Sequence, residues 1–162
     1  MAYFQDLTPY AYYVDPPGVA SLNVGWLSQS MPFSQGETSQ AFKDRLFQFC
    51  LDEYVVHIAR GFHVCELCSK VSEEQWYAES QGRYGEKTQW LNIGDGEIRV
   101  IGKSAIYAAP TLIYHYVVEH QYKPPDAFIE AVLTGPAPES EAFQALLEKF
   151  DYRKSASIKP LR

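Results

Sequence analysis

A chain of 162 residues, 46% hydrophobic and 15% aromatic, has enough apolar material for one ordinary domain with a real core. Its formal net charge of −6 argues against non-specific nucleic-acid binding, which needs a basic surface to displace counterions. No apolar run approaches the ~18 residues of a membrane span, and MAYFQDLTPY lacks the basic and apolar regions of a secretion signal, so a cytoplasmic protein is expected.

Residues 1–18 are aromatic and end in Asp15-Pro16-Pro17-Gly18, an extended or turn signal. SLNVGWL, residues 21–27, suits a short strand, and a polar loop with Pro32 and Gly36 follows. Thr38 or Ser39 can cap a helix whose apolar stripe is Phe42, Leu46, Phe49 and Cys50, ending near Glu53. Cys50 on that stripe reads as a packing residue. YVVHIA, residues 54–59, is β-branched and predicts a strand, with His57 in it as a packed or surface histidine. GFHVCELC comes next, and then a polar excursion from Ser69 to Glu86 in which Trp76 and Tyr77 can fold back onto the body.

The segment from Thr88 to Ala108 carries the clearest β pattern. TQWLNI, EIRVI and SAIYA, joined at Gly94-Asp95-Gly96 and Gly102-Lys103, predict a three-stranded antiparallel meander. Glu97 and Arg99 fall on one face of the middle strand, where they pair with neighbours or meet water. Pro110 is suited to open a helix carrying Leu112, His115, Tyr116 and His120, which Pro124-Pro125 stops. Pro125 can be the first residue of a further helix, with Phe128, Ile129, Val132 and Leu133 on its apolar face and Gly135-Pro136 at its end. A last helix from about Ser140 to Phe150 places Phe143, Leu146, Leu147 and Phe150 on one stripe. The sum is a single α+β domain over residues 1–150, a small antiparallel meander packed with about four helices. Residues 151–162, with Arg153, Lys154, Lys159 and Arg162, read as a partly disordered basic tail.

Two blocks carry chemistry. Cys65 and Cys68 form a C-x2-C pair, and His115 and His120 an H-x4-H pair, together the ligand set of a closed tetrahedral zinc site. In a reducing compartment such a cysteine pair is a metal or redox site more often than a bridge. Residues five apart on an ideal helix stand roughly 140° apart. A loosened last turn before Pro124-Pro125 would bring His120 round to His115. The 46 residues between Cys68 and His115 make the site a cross-link across half the chain. His63 is a rival for the fourth position, or a residue that hydrogen-bonds a ligand.

Other chemistries lack their patterns. A zinc deaminase needs H-x-E and P-C-x2-C, and neither occurs. A thioredoxin-like motif needs a βαβ setting, whereas here C-x2-C runs into a polar stretch. GDGEIRV lacks the third glycine and the strand-to-helix setting of a phosphate loop. No nucleophile-elbow pattern is present.

The chain resembles a family of small, uncharacterised bacterial proteins, a domain of unknown function. The resemblance rests on YFQDLTPY, the GW and PF of residues 25–33, GFHVCELC, GEIRV and YAAPTLIYHYVVEHQYKPPDAFIEAVL, and covers most of residues 1–135. It implies that His63, Cys65, Cys68, His115 and His120 belong together, and it implies no activity.

Two function classes follow. One is a non-enzymatic, zinc-stapled domain that binds a protein partner, an immunity-type neutraliser of a toxin being one concrete form. Acidity and twelve tyrosines, a residue suited to contact surfaces, fit this class. The other is a metal- or thiol-dependent enzyme, a hydrolase or CxxC redox protein. That class needs an open coordination position or an exposed, low-pKa thiolate.

Overall fold

The computed structural model describes residues 2–68, 85–86 and 89–150. In chain order these form β1 (Ser21–Asn23), α1 (Gln40–Phe49), a 3-10 turn (Asp52–Tyr54), β2 (Gly85–Glu86), β3 (Gln89–Trp90), β4 (Glu97–Ile101), β5 (Ile106–Pro110), α2 (Ile113–His120), α3 (Asp126–Thr134) and α4 (Glu141–Phe150). The class is α+β, with four α-helices and a small three-stranded sheet among the described residues. Most of the polar excursion, with Trp76 and Tyr77, and the basic tail lie outside the described residues.

The sheet is mixed, which corrects the expected antiparallel meander. β4 and β5 form the antiparallel hairpin, with Glu97 opposite Pro110 and Ile101 opposite Ile106. The third strand is β1, parallel to β5, with Ser21 opposite Ile106 and Asn23 opposite Ala108. Val24 N–H and Trp26 Nε1–H both donate to the Ala108 carbonyl, which anchors the chain just past β1 to the middle strand. Gln89–Trp90 pairs instead with Gly85–Glu86 in a separate antiparallel ribbon. The Gly94–Gly96 turn, expected to close a hairpin, is held from outside the sheet. Gly94 N–H donates to Thr111 Oγ1, its carbonyl accepts from His63 N–H at 2.7 Å, and Thr111 N–H donates to the Gly96 carbonyl.

YVVHIA does not form a strand. Val56 alone exchanges backbone hydrogen bonds with Glu97, and His57 takes a left-handed conformation at φ 51° that ends the extended run. Pro110 closes β5 rather than opening a helix, and α2 begins three residues later. A proline at the last ladder position sacrifices little, because the strand needs no further N–H there.

The helices follow their signals more closely. Ser39 accepts the Phe42 N–H at 3.1 Å and caps α1, whose Phe42, Leu46 and Phe49 are fully buried with Cys50 beside them. Pro125 is the residue before α3 rather than its first turn, and Gly135 caps its end. Ser140 Oγ accepts from Phe143 N–H at the start of α4. Edge-to-face pairs Phe42–Phe128, Tyr107–Phe128 and Phe49–Phe143 join α1, α3 and α4 over the hairpin. Each fully buried ring of this kind stabilises the fold by ~1.5–3 kcal/mol. No helix of the described residues is long and apolar enough to cross a membrane.

Candidate metal centre

The C-x2-C segment is a tight turn. Cys68 N–H donates to the Cys65 carbonyl at 3.2 Å, and the N–H groups of Leu67 and Cys68 point at the Cys65 sulfur. This curl aims both thiols to one side. Glu66, at the tip, accepts from Ser28 Oγ and Gln29 N–H at 3.4 Å, which ties the turn to the loop after β1.

The histidines come from α2. Its apolar face buries Ile113, His115, Tyr116 and Val117. The helix stays intact through His120 and is stopped by Gln121 at φ 53°, with Tyr122 N–H donating back to the Tyr116 carbonyl six residues earlier. A left-handed residue therefore ends the helix, not Pro124-Pro125, and no loosened turn lies beneath His120. Both rings use Nε2, the nitrogen farthest from the backbone, and their length closes the angular gap. The two Nε2 atoms lie 3.2 Å apart.

Four donor atoms converge. Cys65 Sγ is 3.4 Å from His120 Nε2, and Cys68 Sγ is 3.2 Å from His115 Nε2 and 3.3 Å from His120 Nε2. All four lie within 4.8 Å of one another. Around a tetrahedral zinc, bonds of ~2.3 Å to sulfur and ~2.05 Å to nitrogen require S···N edges near ~3.6 Å and an N···N edge near ~3.3 Å. The three S···N edges and the one N···N edge given above match this within a few tenths of an ångström, so the cluster can hold a metal ion. Burial, and then the neighbouring Cys68 sulfur, push the Cys65 thiol up to about 12. Burial also lowers the His120 pKa, which keeps that ring neutral and able to donate its lone pair.

His63 is not in the cluster. Its backbone is bonded to Gly94, and its side chain lines a separate cavity with Asp95 and His57. Gly94 is needed there, because a Cβ at its φ of 94° would stand 2.5 Å from the His63 carbonyl oxygen. His120→Ala should therefore weaken metal affinity beyond the ~10–100-fold typical of losing an outer hydrogen-bond partner, and His63→Ala should stay within it. A competition titration against a coloured chelator measures both, and the reverse order would return the ligand role to His63.

Glu97 and Arg99, expected to pair with neighbours or meet water, pair in a second polar cluster whose other members, Tyr10 and Asp15, the sequence did not point to. Arg99, fully buried, donates from Nη1 to Glu97 Oε2 at 2.8 Å and from Nη2 to Asp15 at 3.1 Å. Tyr10 O–H lies 2.9 and 2.8 Å from the two Glu97 oxygens, and its ring lies under the guanidinium at 4.5 Å. The face shared by Glu97 and Arg99 is closed off by the N-terminal segment. The only sequence signal was two opposite charges two apart in an otherwise apolar strand.

These features define an α+β domain whose Cys2His2 cluster, shared between a thiol turn and one helix, can hold a metal ion. The chain belongs to the family described as a domain of unknown function, DUF7919, whose model matches residues 2–133. The match spans β1 to α3 and includes all four cluster residues. No curated protein and no solved structure matches the chain.

Proposed function

We propose that the protein is a non-enzymatic, zinc-stapled interaction domain that binds another protein, with toxin neutralisation of the immunity type as one concrete form. The observation that carries this is the convergence of four protein donors, from Cys65, Cys68, His115 and His120, within 4.8 Å of one another. A hydrolytic zinc keeps a water position, and four protein donors at tetrahedral spacing leave none. The metal in this reading is a staple. It joins a turn after α1 to a helix after the hairpin and constrains the unfolded chain as a long cross-link does. The net charge of −6 and exposed Tyr3, Leu7, Tyr13, Val14 and Ile58 suit a protein-binding surface.

Purified protein should carry about one zinc per chain. Elemental analysis together with thiol titration of the native protein checks this. Metal-free protein with Cys65 and Cys68 both freely reactive would overturn the zinc assignment. Zinc with an exchangeable water ligand, seen by X-ray absorption as three protein donors, would favour a hydrolase instead.

A further inference from the structure

At the start of β4 a small cavity is lined by the rings of Tyr12, Tyr13 and Trp26 and by Asp95, Glu97 and His57. The aromatic wall is continuous. Tyr12 packs 4.7 Å from Tyr13 and 5.3 Å from Trp26, centre to centre, and Tyr13 stacks on His57 at 4.9 Å. The space measures about 20 Å³, enough for one water-sized group and too little for a ring or a sugar. Val14 and Ile58, each next in the chain to a lining residue, are 86% and 56% exposed, so apolar side chains are available beside the cavity for a partner to contact.

The polar groups of this cavity are short of positive charge. Glu97 already has Arg99 and the Tyr10 hydroxyl as partners, whereas Asp95 has no ion pair among the described residues. Burial raises the pKa of both Asp95 and Glu97, the mark of carboxylates not fully compensated. His57 is kept neutral, its pKa lowered by burial and then by Arg99, and its Nε2 is shut off from solvent without a partner. The left-handed backbone at His57 is disfavoured for a residue with a Cβ, and strain of this kind gathers at ligand sites. A primary ammonium answers each feature. It is water-sized, it is a cation for aromatic faces and carboxylates, and it brings three donors. Its aliphatic stem would lie along the apolar side chains beside the cavity.

We infer that this cavity receives the lysine side chain of a protein partner. The inference rests on the interaction reading above and gives it a place on the surface. The negative charge of the chain favours approach of such a group.

The test is a titration of zinc-loaded protein followed by 1H–15N and histidine-ring NMR, with four probes. These are butylamine, N-acetyl-lysine amide, a short peptide with one lysine between two leucines, and the same peptide with that lysine acetylated. The lysine peptide should shift Gly94, Asp95, Gly96 and the His57 ring saturably, about tenfold more tightly than butylamine because of the apolar side chains beside the cavity. The acetylated peptide should leave them unmoved. Asp95→Asn, nearly isosteric, should weaken the lysine peptide about tenfold, and exposed Tyr13→Ala should weaken it without altering the fold. Equal response to both peptides would mean the cavity reads apolar surface, not charge. Butylamine as tight as the peptide would make it a site for free amines. No shift at these residues would remove the cavity from function. None of these three results touches the interaction reading itself, which fails if the zinc keeps an exchangeable water ligand, or if Tyr13, Val14 and Ile58 can all be made polar without loss of a partner's binding.

Discussion

Cys65→Ser or His115→Ala should lower the melting temperature by at least about 10 °C or leave the protein insoluble, and chelation of the wild type should do the same. Both side chains are almost wholly buried, so a failed site cannot relax into solvent. Binding of a structural zinc by a small domain is linked to folding by ~10–16 kcal/mol, as large as the whole stability of an ordinary domain. Even a third of that, ~4 kcal/mol, shifts a domain of this size by ~8–16 °C. The raised Cys65 thiol adds a pH signature. Metal must displace a proton that burial and Cys68 hold up to about 12, so affinity should climb with pH over the neutral range. Differential scanning calorimetry with and without a chelator reads the effect. An unchanged melting temperature in both variants would show that the four residues merely pack.

Why the cluster was legible, and the sheet less so, has a physical basis. A C-x2-C turn and an H-x4-H helix are local spacings, and α2 places both rings without help from distant residues. Even so, the route differed. Pro124-Pro125 is a reason for the helix to end, yet Gln121 ends it first by adopting the left-handed region, which nothing in the residue type announces. The third strand of the sheet is a long-range choice. TQWLNI and SLNVGWL were both fit to pair with the hairpin, and only tertiary bonds such as Trp26 Nε1 to the Ala108 carbonyl select the latter. VVHI reads as strand by composition, but His57 breaks it to line the cavity. His63 shows the limit of proximity in sequence. Two residues from Cys65, it is drawn off by its backbone bond to Gly94. The charged pair of β4 was visible as residue types, but its burial depends on Tyr10 and Asp15, more than 80 residues away.

That pair gives the second large expected effect. Arg99→Ala should destabilise the protein by ~3–5 kcal/mol near pH 8, because it leaves Glu97 charged and buried without its cation. Burial opposes the charge on Arg99, but Glu97, Tyr10 and Asp15 outweigh it and move its pKa upward, so it is a cation throughout the working range. The loss should shrink in acid. Burial already holds the Glu97 carboxyl above its ordinary value, although Arg99 and Tyr10 pull it down. A carboxyl raised in the folded state contributes stability that is full below its unfolded value, ~4.3, and is lost as pH rises through the folded value. Removing Arg99 removes the largest lowering influence, so the folded value rises further and the variant loses more stability over a wider span of pH. The gap between wild type and Arg99→Ala should therefore widen from pH 5 to pH 8, as urea unfolding at the two values would measure. The double change Glu97→Gln with Arg99→Met should be less damaging than Arg99→Ala alone, since it leaves only Asp15 without its cation instead of Asp15 and the more deeply buried Glu97 together. A gap that stays constant with pH, or a double variant as unstable as the single one, would mean that Arg99 holds Tyr10 and Phe150 by packing its guanidinium against their rings and not by its charge on Glu97.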